Sequence, residues 1–179
     1  MPPTILTIGH STRSAEEFTA LLQEQAVTLV ADVRTVPRSR RHPQFNQEAL
    51  SATLAAGGVG YMHLPGLGGW RRGRPDSPHV GWQDAGFRAY ADYMDTPEFA
   101  EQLEKLIALA GKDCVAVMCA EAVPGRCHRS MIADALSVRG VRVMHVLGAG
   151  LAEAHAVTPW ARVEGTRLLY AAPDTLPFD

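Results

Sequence analysis

The chain is predicted to fold as an α/β protein: a mostly parallel β-sheet of about five or six strands flanked by helices, in a Rossmann-like or open partial-barrel three-layer arrangement. Two observations predict this. Short β-branched runs alternate along the chain with longer segments of helical period, and the strand-like runs are nearly continuously apolar, as expected of strands covered on both faces. The length of 179 residues suits one domain, long enough to bury a core without disulfides or metals, so residues 1–179 are expected to form a single α/β domain.

The elements follow in order. Residues 4–8 read as the first strand. Ser14 and Glu17 have capping-box spacing, and Phe18, Leu21 and Leu22 supply the apolar stripe of a helix to about Gln25. Residues 27–33 are a buried strand that ends in Asp32-Val-Arg34 and a Pro/Arg-rich loop, and Asn46 is placed to cap a helix to about Ala56. Residues 61–64 form a weaker strand. A Gly/Pro/Arg-rich stretch over about 65–83 follows, too long for a mere connector. Phe87, Tyr90, Ala91 and Met94 share one helical face; Thr96-Pro97 opens a further helix whose buried side is Phe99, Leu103, Leu106 and Ile107. Strand 114–118, helix 129–139 ahead of Gly140 and strand 141–147 come next, then a short helix over 151–156 and a strand over 167–170.

Hydrophobic residues make up 46% and charged residues 20% of the chain, and no apolar run approaches the roughly 20 residues needed to span a bilayer, so no membrane role is expected. The first residues lack the basic and apolar regions of a signal peptide, and three cysteines without a framework spacing suit a reducing compartment. Both point to a soluble, cytoplasmic protein. The formal charge of −2 argues against a generally basic surface, yet arginines 34, 38, 40 and 41 crowd one segment and arginines 71, 72 and 74 another.

Ligands of open parallel sheets bind beyond the carboxyl ends of the strands, and there the unusual polar residues gather. Gly9-His10-Ser11 follows the first strand, Asp32 and Arg34 the second, His63 and Gly68-Gly69 the third, and Cys119 with Glu121 the fourth. Taken singly, each has an ordinary reading. Ser11 serves as well for a turn, His10 and His63 for structural histidines, the glycines for tight turns, and Asp32 with Arg34 for a structural ion pair.

The strongest signal is the segment Cys119-Ala-Glu-Ala-Val-Pro-Gly-Arg-Cys-His-Arg129. A cysteine at a strand end, facing a helix N-terminus and arginines, is placed to be a thiolate, which makes Cys119 a candidate nucleophile with His128 or Glu121 as acid or base. Cysteine phosphatases and rhodaneses share this plan only by physical analogy. Cys119 and Arg126 are separated by one residue too many for the phosphatase signature, and Pro124 offers no amide donor. A zinc or iron site on Cys119, Cys127 and His128, joined by His10 or His63, is the rival reading, although the spacing fits no familiar zinc motif. Cys127 otherwise reads as a small buried hydrophobe, and Cys114 as core.

The residues Thr7-Ile-Gly-His-Ser11, Asp32-Val-Arg34 with Pro37 and Ser39, Tyr61 with His63, Leu67-Gly-Gly69, Cys119-Ala-Glu121, Cys127-His-Arg129 and His145 run almost from end to end. On them the sequence resembles the domain-of-unknown-function 488 family of small bacterial and archaeal proteins. The resemblance implies a polar site at these positions and no particular reaction.

The expectation is therefore an enzyme of hydrolase or transferase type, dependent on cysteine, acting on an anionic substrate such as a phosphate ester, nucleotide or nucleic acid. Cys119, Glu121, His128 and Asp32 would do the chemistry; His10, Ser11, Arg34, Ser39, Gly68, Gly69 and Arg129 would bind the substrate. No cofactor is expected, with bound zinc or iron as the alternative. A nucleic-acid-binding or regulatory module using the two arginine-rich loops is the other alternative, and oligomeric state is not readable.

Overall fold

The continuously apolar runs become the strands of one open sheet. The computed structural model describes residues 2–172. Strands β1 (Thr4–Gly9), β2 (Leu29–Asp32), β3 (Gly60–His63), β4 (Val115–Cys119), β5 (Arg142–Gly148) and β6 (Leu151–Ala154) line up in the order β3-β2-β4-β1-β5-β6. All neighbours are parallel except β6, which runs antiparallel to β5. The sheet does not close into a barrel: β3 and β6 are its edges.

Helices cover both faces. On one side lie α1 (Ala15–Glu24) and α2 (Gln47–Ala56), whose Phe18, Leu21, Leu22, Leu50 and Leu54 pack against Leu6, Ile8, Val30, Ala116 and Met118. On the other lie α3 (Ala85–Met94), α4 (Pro97–Ala110) and α5 (Arg129–Ser137), packed on Ile5, Ala31, Val115, Val117 and Val143. Each fully buried Leu or Phe of these stripes contributes about 1.5–3 kcal/mol. The Ser14 hydroxyl accepts from the Glu17 amide and the Thr96 hydroxyl from the Phe99 amide, as the sequence leads one to expect. Asn46 does not cap α2 with its side chain. Its Oδ1 accepts from the Ser39 amide at 2.7 Å instead, closing the Pro/Arg-rich loop.

Residues 151–156 correct an expectation: they are not a helix. Leu-Ala-Glu-Ala has good helix propensity, but Gly150, at φ +67°, turns the chain back so that Leu151–Ala154 pairs with β5. Here tertiary pairing outweighs local preference. The expected strand at 167–170 is present as β8 (Arg167–Tyr170), but its partner β7 (Ala161–Glu164), joined to it through Gly165 at φ +62°, has no clear sequence signal. Leu168 and Tyr170 of this hairpin join the core on the α5 side, and α5 is buried from Arg129 to Leu136.

The long stretch after β3 is pinned rather than loose. Arg71 donates to the carbonyls of Gly68 (3.0 Å) and Pro65 (2.9 Å) and lies 3.8 Å above the Tyr93 ring. Asp92 accepts from the Arg74 amide and the Ser77 hydroxyl, and buried His79 bridges Asp95 (2.8 Å) and the Tyr170 amide (3.2 Å). Among the described residues no helix is long and apolar enough to cross a membrane.

Candidate functional site

The chain leaves β1 toward the α1 face and leaves β4 toward the α5 face, so the carboxyl ends of these neighbouring strands flank a topological switch point, where open α/β sheets place their ligands. Two backbone hydrogen bonds tie the rim: the His10 amide to the Cys119 carbonyl and the Ser11 amide to the Ala120 carbonyl, both 2.9 Å. Gly9 permits this approach, since a Cβ there would lie 1.8 Å from the Glu121 carbonyl oxygen. Beside the rim opens a cleft of about 480 Å³, walled by Arg34, Thr35, Arg38, Gly69, Trp70, Phe87, Glu121, Arg126 and His128, with Cys119 and Cys127 also in its lining.

Cys119, the last residue of β4, points to the α5 side and is 1% exposed, so it is reached only from the cleft. Its Sγ lies 3.6 Å from the Glu121 carbonyl. The Cys119 thiol is held below its ordinary value of 9.0, first by a hydrogen bond from the Cys127 thiol, which together with the Arg129 guanidinium and backbone hydrogen bonding from Glu121 overcomes the cost of burial. The Cys127 thiol is pushed far up by the same contact and by burial. Each thiol thus shifts the other, Cys119 down and Cys127 up. Cys127, expected to be packing, is buried in the core and also lines the cleft.

Arg129 opens α5 and is 0% exposed. Its Nη2 donates to the carbonyls of Glu121 (3.0 Å) and Ala122 (3.1 Å), while Nε and Nη1 have no partner. A buried guanidinium without a counter-charge is strongly disfavoured, and its positive charge is one of the causes that hold the Cys119 thiol low.

His128 differs from the expected acid or base for Cys119. Its Nε2 faces the Val33 carbonyl at 3.0 Å, which only accepts, so Nε2 carries the proton. Its Nδ1, which then carries no proton, lies 3.3 Å from Cys127 Sγ. Burial pulls His128 down to about 4, so the ring is neutral near pH 7 and does not supply the positive charge a protonated histidine would. Gly69 fits against this ring with no room for a Cβ (2.7 Å from Nδ1), and Gly68 likewise against Thr35 (2.5 Å from Oγ1).

The sheet separates Asp32 from the thiols. Asp32 lies on the α1–α2 face, fully buried, and receives Arg34 through Nε (2.9 Å) and Nη2 (2.8 Å) and the Tyr61 hydroxyl (2.5 Å). It is absent from the cleft wall. Arg34, 6% exposed, also donates to the Phe45 carbonyl at 2.8 Å, yet it lines the cleft and keeps Nη1 unpartnered. His10 stacks on Phe45 at 4.4 Å, donates from Nδ1 to the Ser11 carbonyl and is pulled down to about 4 by burial; its Nε2 is buried without a partner. His63 donates to the Arg34 carbonyl at 2.7 Å. Ser11 adopts φ +49° at the rim, and the Ser39 hydroxyl accepts from the His42 amide within its own turn. Neither serine lines the cleft.

One buried network lies outside the expected set. The Thr7 hydroxyl is 2.6 Å from His145 Nδ1, His145 Nε2 is 2.8 Å from His155 Nδ1, and His155 Nε2 is 2.7 Å from Asp134. Asp134 also accepts from the Thr158 amide and hydroxyl and from the Tyr170 hydroxyl at 2.8 Å. The sequence cues to it are His145, among the residues that carry the family resemblance, and an aspartate on a largely apolar helix face. The network fastens α5, and with it Arg129, to β1, β5 and the β7–β8 hairpin. Asp134→Asn, which turns donors onto donors, is expected to cost about 2 kcal/mol by urea denaturation; a change under about 0.5 kcal/mol would remove this role.

Cys127 Sγ lies 3.3 Å from His128 Nδ1, but Cys119, Cys127 and His128 do not gather as three ligand atoms around one point. Among the described residues, the set of three such ligand atoms lying within 4.8 Å of one another is instead His79, Asp92 and Asp95. There both histidine nitrogens are committed, and the Arg74 guanidinium approaches both carboxylates at 3.6 and 3.8 Å, so that cluster reads as a clasp for the loop.

The family described as Domain of unknown function DUF488 matches residues 14–136, a span that holds Asp32, Arg34, Cys119, Glu121 and Cys127 to Arg129 and leaves out His10, His145 and His155. No curated protein and no solved structure matches the chain significantly.

Proposed function

The chain belongs to the DUF488 family, and we propose that it is a thiol-dependent enzyme that acts on a small anionic substrate of the phosphate-ester or nucleotide class, with Cys119 as the nucleophile. The observation that carries this reading is the buried Arg129 guanidinium, whose Nε and Nη1 have no partner among the described residues and which stands by a thiol held low. A charge arrangement of that kind lowers stability unless it serves chemistry. The substrate's negative charge would meet Arg34 Nη1, Arg38 and Arg126 on the cleft wall. The Cys119 sulfur would attack the electrophilic centre, and the leaving group would depart into the open cleft with its bonding electrons and take a proton from water there. Water would then release the product. Asp32 enters as the residue that holds Arg34, and His128 as the partner of Cys127.

Alkylation kinetics test this. Iodoacetamide is expected to modify Cys119 with a pH midpoint below that of an ordinary thiol, because its folded-state value is lowered. Arg129→Met should move the midpoint upward and slow the reaction near neutrality by about tenfold, one pH unit's worth. Inorganic phosphate or a mononucleotide should protect Cys119 saturably. A Cys119 that stays unreactive from about pH 6 to about pH 9 would sink the proposal.

The rival nucleic-acid reading loses support from Arg71 and Arg74, which are engaged within the protein. Binding that weakens steeply with salt would favour it nonetheless. Metal analysis of protein purified without added metal addresses the zinc or iron alternative.

A further inference from the structure

We infer that Cys119 and Cys127 are a redox pair, oxidised by a small hydroperoxide to an intramolecular disulfide in which Cys127 is the resolving thiol. The inference rests on the reading of Cys119 as a thiolate nucleophile and extends it to the regulation of the same site. Three features of the geometry carry it. The two thiols are near enough for each to shift the other, and both line the one cleft. Cys127 Sγ is 3.3 Å from the bare Nδ1 of His128, whose other nitrogen is anchored on the Val33 carbonyl, so a proton acceptor is oriented on Cys127 and not on Cys119. Arg129 is fully buried with two unpartnered donor atoms, a setting that keeps an anionic sulfur in place. A resolving cysteine needs a nearby electrophilic sulfur and a base; a packing cysteine needs neither.

The chemistry balances. The Cys119 sulfur attacks one oxygen of hydrogen peroxide; the S–O bond forms, the O–O bond breaks, and hydroxide leaves, which makes Cys119 a sulfenic acid. Cys127, oriented by His128 Nδ1, then attacks Cys119 Sγ. The S–S bond forms, the S–O bond breaks, and the departing hydroxide takes the Cys127 proton and leaves as water. Two thiols lose two electrons and peroxide gains them. Because Cys119 is almost fully buried, a small oxidant reaches it where a bulky disulfide does not. The disulfide blocks the nucleophile, and a thiol reductant restores it.

Cys114 provides an internal control. It sits at the opposite end of β4, half-buried, with Sγ 3.6 Å from the Gln25 carbonyl. The test is peptide mapping by mass spectrometry after excess hydrogen peroxide, with iodoacetamide and dimedone as traps. Expected is one linked species joining the Cys119 and Cys127 peptides, lighter by two hydrogens and opened by dithiothreitol, with Cys114 alkylated. In Cys127→Ser, dimedone should instead tag Cys119. The inference is overturned if wild-type Cys119 takes dimedone or oxidises further while Cys127 remains alkylatable. If Cys119 is alkylated and protected by phosphate but no linked peptide forms, the redox pair alone is wrong. If Cys119 resists alkylation as well as peroxide, the enzyme reading falls with it.

Discussion

Asp32→Ala is expected to lower the unfolding free energy by about 3–5 kcal/mol, because it leaves the Arg34 guanidinium buried without its counter-charge. Asp32 is fully buried and Arg34 is 6% exposed. Their contact is bidentate at 2.9 and 2.8 Å, and the Tyr61 hydroxyl and the Arg34 amide (3.1 Å) also end on this carboxylate. Alanine strands all of these donors at once. The cost belongs to the unpaired charge rather than to the net worth of the pair, so Asp32→Ala with Arg34→Met should recover much of it. Urea denaturation of the single and double variants measures both quantities. A single-variant loss below about 1 kcal/mol, or a double variant no better than the single one, would show that water reaches the pair and that its burial does not matter.

Gly9→Ala should cost about 3 kcal/mol or more and slow Cys119 alkylation at the same time. The added carbon would lie 1.8 Å from the Glu121 carbonyl oxygen and 2.5 Å from its carbonyl carbon. These are backbone atoms, so no side-chain rotation relieves the overlap. The Glu121 turn would have to withdraw, straining the hydrogen bonds from His10 and Ser11 to Cys119 and Ala120, and with them the two carbonyls on which Arg129 rests. Gly125 is the matched control: a Cβ there meets nothing within 4 Å, and Gly125→Ala is expected to be neutral to within about 0.5 kcal/mol. If Gly9→Ala unfolds with the wild-type protein and keeps the wild-type alkylation rate, the close approach of the two loops is not what positions the thiol.

Much of the fold was legible because burial on both faces writes itself into composition. Val115–Cys119 is five buried residues in a row, and a half-exposed strand would have alternated. The helix starts at Ser14 and Thr96 were equally plain, since a capping hydroxyl acts within three residues of itself. Leu151–Ala154 was not legible. Its sequence suits a helix, and only the reversal at Gly150 and the unpaired edge of β5 make it a strand.

The site divides in the same way. That Cys119, Glu121, Cys127, His128 and Arg129 stand close together follows from the sequence alone, because a strand end, a short loop and a helix start keep them near one another whatever the rest of the chain does. That strand ends form a common rim follows too, once the strands are parallel. What each side chain does there was decided by tertiary structure. The sheet puts Cys119 on one face and Asp32 on the other, the Val33 carbonyl sets the tautomer of His128, and Arg129, with Nε and Nη1 unpartnered among the described residues, places a buried positive charge beside the Cys119 thiol. Local spacing determines which groups are neighbours along the chain. Charge, protonation and reactivity depend on what burial removes and on which distant backbone groups arrive, and neither has a signature in the order of residues.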